Sequence, residues 1–285
     1  MIRHNIFIGF ALVLSVFVFI GAAKAEQISG IITATRTITE NSELVGDVIC
    51  VVADAPCINL GASNITLKLN GFTITGRAEP PNNCIPAPPA PFAPEDGISS
   101  LLMNNVTILG PGIVQKFRRH GVILTGNQSS TGFGLSVRRL TVNQNCYSGI
   151  FMNGVINSDI LDNVSVRNSS ASGIRPCGGN CITSSHNNRI LGNVFSGNGS
   201  VADGNNDFGA GLVGNSSGNL IQENAIGGNT NGVLVQATAL NNIIRRNIIA
   251  GNPAMQLVSH TARRSVLIFG IFHLRAQTLS TTTFA

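Results

Sequence analysis

NNIIRRNIIAGN, residues 241 to 252, sets asparagines at Asn242, Asn247 and Asn252, five apart, with branched aliphatics between them. A helix repeats its apolar residues every three or four positions and a strand every two, so a five-residue beat belongs to neither. It belongs to short segments that are turned repeatedly. The beat recurs at Asn219, Asn224 and Asn229 in NLIQENAIGGN, at Asn188, Asn193 and Asn198 in NRILGNVFSGN, and more loosely at Ser158, Asn163 and Asn168. Measured on the first member, the copies lie 23, 31 and 30 residues apart, counting back from Asn242. The excesses have visible sources: the polar insert VADGNNDF, residues 201 to 208, and the stretch around PCGGNC, residues 176 to 181. A period near 23 residues interrupted by local insertions is what stacked coils produce, because each coil must rejoin its neighbour whatever bulges outward.

A second marker runs nearly in phase, a glycine followed by an aliphatic: Gly97-Ile98, Gly121-Val122, Gly149-Ile150, Gly173-Ile174, Gly211-Leu212 and Gly232-Val233. Segments of a few residues rich in Ile, Val and Leu are too short for helices and long enough for the faces of a parallel β-helix. The expectation is an all-β, right-handed parallel β-helix solenoid of about eight coils, stacked at the spacing of strands in a sheet. Asparagine tolerates the left-handed backbone of a tight corner, and its amide both donates and accepts, so the beat is expected to mark corners joined by an amide ladder. Interleaved aliphatics that keep phase separate this chain from low-complexity disorder.

The chain opens MIRHNIFIGFALVLSVFVFIGAAKAE, a charged start, a 15-residue apolar run and a small-residue site at Ala23-Lys24-Ala25. That reads as a signal peptide, residues 1 to 25, and implies a secreted or periplasmic protein with no membrane span once it is cleaved. Setting aside the five basic residues of the signal and the last segment leaves 13 Lys and Arg against 13 Asp and Glu, so residues 26 to 252 are formally neutral. Capture of nucleic acid is not indicated. Six cysteines in an exported chain suggest disulfides. The connectivity stays open from sequence; local pairing of Cys50 with Cys57 and of Cys177 with Cys181 would leave Cys84 with Cys146.

Residues 26 to 62 lack the beat and are expected to cap the first coil. The repeat domain is read as residues 63 to 252. Residues 78 to 96 hold seven of the eleven prolines and form an excursion, since proline cannot donate to a strand ladder. After Asn252 the rhythm stops, and residues 253 to 285 are read as an atypical C-terminal tail.

In LKLNGFTITG, NNVTILGPGIV and the N-x4-N coils, the chain resembles the right-handed parallel β-helix superfamily, its pectate-lyase-like and NosD-like members, over roughly residues 60 to 252. The resemblance implies an extended carbohydrate-facing groove and a polysaccharide or cell-surface glycan as partner. It does not choose among lyases, hydrolases, epimerases, adhesins and NosD-like metal-handling proteins. The N-x-D, paired-aspartate and G-H-G pattern of galacturonases is absent apart from Arg119-His120-Gly121, as is the DPH signature of alginate epimerases. No cofactor or metal site is expected: carboxylates are sparse for calcium, and no His aligns with a Met or another His on two coils.

Aligning the coils on their glycines stacks Asp96 beside His120, flanked by Glu95, Arg118, Arg119 and the only tyrosine, Tyr147, with Arg175 further along. Asp96, His120 and Arg119 are the candidate catalytic groups, a carboxylate, an imidazole and a guanidinium. Glu95, Arg118, Tyr147 and Arg175 are the candidate substrate-binding groups. The same alignment pairs Asp159 with Arg189 and Glu223 with Arg246 as surface ion pairs. The protein is read as a monomer that binds a polysaccharide, with cleavage or modification of it left open; an adhesin-like structural role and NosD-like metal handling are the alternatives.

Overall fold

The computed structural model describes residues 25–79, 94–127, 130–168, 180–199, 208–236, 238–253, 255–259 and 266–269. Among them there is no helix, and every strand pairing is parallel. The strands form three faces. Face A stacks Thr66–Lys68, Thr107–Leu109, Ser136–Arg138, Asp159–Leu161, Arg189–Leu191, Leu220–Gln222, Asn242–Arg245 and Val266–Phe269. Face B stacks Thr73–Thr75, Ile113–Gln115, Thr141–Asn143, Val164–Val166, Val194–Ser196, Ala225–Gly227 and Ile248–Ala250. Face C runs from Arg36–Ile38 and Ile58–Leu60 through Ile98–Leu101, Val122–Thr125, Ile150–Asn153, Asn180–Thr183 and Phe208–Val213 to Asn231–Val235 and Met255–Ser259.

Most of the short strands turn a central aliphatic inward, so that on face A like sits on like. Leu67, Ile108, Val137, Ile160, Ile190, Ile221 and Ile244 form the buried column of face A. On face B the buried Phe195 stacks directly on Ser165, a large ring over a small neighbour.

Residues 26 to 62 already contribute strands to the same sheets: Glu26–Ile32 pairs with Ser42–Cys50, and Arg36–Ile38 pairs with Ile58–Leu60. The pairing also continues past Asn252, through Met255–Ser259 and Val266–Phe269. The expected signal peptide lies outside the described residues apart from Ala25.

The asparagines form three buried ladders. At the corner between faces A and B, the Asn163 backbone N–H and side-chain Nδ2 both donate to Asn193 Oδ1, at 2.8 and 3.0 Å. Asn193 does the same to Asn224, and Asn224 to Asn247. Ser158, Asn188, Asn219 and Asn242 run alongside before face A, and Asn145, Asn168, Asn198, Asn229 and Asn252 after face B. One expectation is corrected here. The ladder asparagines do not take the left-handed backbone; the residue immediately before each one does, at Asp162, Gly192, Glu223 and Arg246 for the A–B corner. The preceding residue makes the turn and points to solvent, which frees the asparagine to face inward.

The longest segments between described strands fall at one step of the coil. Residues 76–97, 167–179 and 197–207 each separate a strand of face B from the next strand of face C in the chain, and most of them lie outside the described residues. The Cys50–Cys57 disulfide lies at the same step, between Ser42–Cys50 and Ile58–Leu60. Cys146 is disulfide-bonded too, whereas Cys84, Cys177 and the side chain of Cys181 lie outside the described residues.

Candidate functional site

The glycine alignment holds for three coils and then fails. Ile98, Val122 and Ile150 share one register, which brings Asp96 and His120 together. Opposite Ile150, however, stands Asn180, followed by Ala210, rather than Ile174 and Leu212. Arg175 lies outside the described residues.

The remaining candidates assemble at the B–C corner around two adjacent carboxylates that make three ion pairs. Asp96, 1% exposed, accepts Arg119 Nε at 2.7 Å and Arg119 Nη2 at 2.5 Å, and its Oδ1 also accepts the His120 backbone N–H at 3.1 Å. Glu95, 3% exposed, accepts Arg77 Nε and Nη2 at 3.0 and 2.6 Å, Arg118 Nη1 at 3.0 Å and the Asp54 N–H at 3.2 Å. Arg77 and the loop residue Asp54 escaped the sequence reading because neither shares the glycine column. Burial pushes the Asp96 carboxyl up and Arg119 opposes it. For Glu95 burial also acts upward, but the Arg77 hydrogen bonds, the Asp54 N–H and the charges of Arg118 and Arg77 together bring the carboxyl below its usual value.

His120 is 5% exposed and receives the Ser148 N–H on Nδ1 at 3.2 Å. Burial first, and then the charge of Arg119, holds its pKa well below the ordinary value, so the ring is neutral. With Nδ1 accepting, the proton sits on Nε2. The imidazole stacks on Phe151 with centroids 4.7 Å apart and meets Tyr147 edge-on at 5.5 Å. Tyr147 is buried, and desolvation, partly opposed by Arg119, raises its phenol to about 12. These contacts tie successive turns of the corner together and lay the imidazole against Phe151.

Phe151 belongs to the outward side of face C, which the sequence reading missed because the residue is apolar and sits between core positions. It lies in register with Ile123. Beside it, Thr125, Asn153 and Thr183 form a partly exposed column of hydroxyls and an amide. From Ile98 to Val235 the described strands of face C carry no Asp, Glu, Lys, Arg or His. No group of three metal-ligating side chains converges among the described residues. No helix of the described residues is long and apolar enough to cross a membrane.

Parallel strands wound into three stacked faces and stapled by inward asparagine ladders define a parallel β-helix. Residues 96–268 match the family described as right handed beta helix region, and the chain belongs to that family. Among solved structures it is similar to the Dettilon tailspike protein (TM-score 0.56, 18% identity, 77% of this chain and 42% of that one). It is also similar to tailspike protein 2 of the Escherichia coli O157:H7 bacteriophage CAB120 (0.52, 13%, 87% and 35%). A variant of the periplasmic alginate epimerase AlgG follows (0.51, 15%, 80% and 51%). The chain spans about half or less of the length of each, and at these identities the likeness is one of fold. No curated protein matches the sequence.

Proposed function

We propose that the protein binds a polysaccharide along face C, beside the B–C corner, and holds it without turnover. The observation that carries this reading is the pairing of two outward columns at strand spacing: apolar Ile123 and Phe151 next to Thr125, Asn153 and Thr183. A pyranose presents an apolar face and a rim of hydroxyls, and stacked coils repeat both partners about every 4.8 Å along the axis. Insertions of a solenoid gather on one face, commonly the binding face, and here the longest segments between described strands lead into face C. Asp96, Arg119 and His120 are positioning residues in this reading: Arg119 Nε and Nη2 and the His120 backbone N–H all donate to the Asp96 carboxylate, His120 Nδ1 accepts the Ser148 N–H, and the imidazole supports the Phe151 ring. Two of the solved structures named above are tailspikes and one is an alginate epimerase, which suits a polysaccharide ligand. The first 25 residues and the disulfides suit export to an oxidising compartment.

The test is a glycan array followed by titration with the best ligand. Phe151→Ala and Asn153→Ala are each expected to weaken binding about tenfold or more with the melting temperature preserved, and assays for new reducing ends and unsaturated products are expected to stay blank. Full affinity in the double variant removes face C as the site; appearance of product overturns binding without turnover and returns Asp96 and His120 to a catalytic role.

A further inference from the structure

We infer that face A carries a second site of opposite character, for an acidic saccharide whose sugar bears a carboxylate, such as a uronate. A cleft of about 620 Å³ opens there, lined by Thr107, Leu109, Arg138, Arg139, Leu161 and Asp162. That is within the range of about 300–1,000 Å³ in which small ligands are held. In the outward column Arg138 sits between Leu109 and Leu161, one coil to either side. A guanidinium between two aliphatic side chains offers an apolar floor for a sugar ring with a cation at its centre.

The cation is held in place. Arg138 Nε donates to Ser136 Oγ at 2.6 Å and Nη2 to Asp159 Oδ2 at 3.2 Å. Asp159 is itself gripped by Arg189, through Nε and Nη2 at 2.7 Å each. One carboxylate is therefore shared by two guanidinium groups, and one positive charge is left over. Arg139, exposed at the corner, forms no ion pair among the described residues, and neither does Asp162 one coil on. Arg139 and Asp162 balance in charge, so a single ligand carboxylate brings the cleft to neutrality. It would be met by Arg138 and Arg139, while Asp162 and Thr107 accept and exchange hydrogen bonds with sugar hydroxyls. From Ile98 to Val235 the described strands of face C offer no such charge, so the two faces would take different units of a chain, or different chains.

The reading is tested by calorimetric titration of the full chain with galacturonate and mannuronate oligomers and with neutral oligosaccharides, at low and high salt. Uronate oligomers are expected to bind, more weakly as salt rises. Arg138→Gln and Arg139→Gln should each weaken them about tenfold, with neutral-glycan binding untouched. Arg139→Gln is the decisive variant, since the Arg139 side chain forms no ion pair among the described residues. Phe151→Ala should do the reverse, reducing neutral-glycan binding and sparing uronates. Absence of uronate binding, unchanged uronate affinity in the folded Arg139→Gln protein, or loss of uronates through Phe151→Ala alone overturns the second site. The first two of these leave the face C proposal standing.

Discussion

Asn193 uses every hydrogen-bonding position of its amide. Its Oδ1 accepts both donors of Asn163, and its Nδ2 reaches Asn224 Oδ1, Ile160 O and Leu191 O. Leucine has nearly the same shape and none of these groups. Asn193→Leu would orphan buried donors below it and carbonyls beside it, each at about 1–3 kcal/mol, so denaturant unfolding should show a loss of about 4 kcal/mol or more. Asn187→Gly, at an exposed left-handed position, should change stability by less than about 1 kcal/mol. Comparable small losses at both would mean that the ladder contributes little. The turning residue makes the opposite prediction. Arg167 is exposed at φ 54°, and the equivalent positions preceding Asn198, Asn229 and Asn252 are the glycines Gly197, Gly228 and Gly251. Relief of left-handed strain in Arg167→Gly, set against the greater freedom of glycine in the unfolded chain, should raise stability by up to about 1 kcal/mol. A lower melting temperature would show that Arg167 holds something by its side chain.

At the scale of the B–C corner, one titrating group should dominate the response to mild acid. The folded-state pKa of His120 lies well below its unfolded value because the ring is buried next to Arg119. Between the two values the unfolded chain binds the proton and the folded one does not, so stability is present above about pH 6.5 and is lost as pH falls toward the folded pKa. The melting temperature should drop from pH 7.5 to 5.5, and His120→Phe should flatten that slope; an equal slope in the variant assigns it elsewhere. The sequence let this corner be found only in part. Asp96, Arg119 and His120 follow from glycines that hold register over three coils. The alignment then slips, because segments of unequal length precede the next two strands of face C and Asn180 and Ala210 take the register positions; Gly211 stands inside its strand, and Gly173 lies outside the described residues. Burial was equally illegible: a string of Glu, Asp, Arg and His looks like a solvated surface until Arg77 and Arg118 arrive from neighbouring coils to neutralise Glu95. Phe151, which carries the binding proposal, differs from a core residue only by pointing outward.

Across the whole molecule the asparagine beat was readable because it reports a buried, repeated contact that tolerates no slippage, while surface residues vary freely from coil to coil. What the beat left open was which residue takes the turn, since asparagine suits both the corner and the ladder, and the structure assigns the turn to its predecessor. The period itself can be tested by removing it. Leu220 and Ile243 are register partners, as are Asn219 and Asn242 through their amides. Deleting residues 220–242, one full 23-residue beat, therefore places Ile243 directly after Asn219, in the outward slot of Leu220, and Asn247 in the ladder slot of Asn224. Neighbouring coils meet as before, so the shortened chain should keep a strand-dominated circular dichroism spectrum and a cooperative melt, at somewhat lower temperature because one interface is lost. Deleting residues 220–241 removes one residue fewer and reverses every side chain that follows. Arg246 then falls in the buried slot of Asn224, an unpaired charge within the ladder, and Ile244 turns outward. That variant should lose its cooperative transition or fail to fold. Equal behaviour of the two deletions would show that the coils are held by general hydrophobic contact rather than by the register of the ladders.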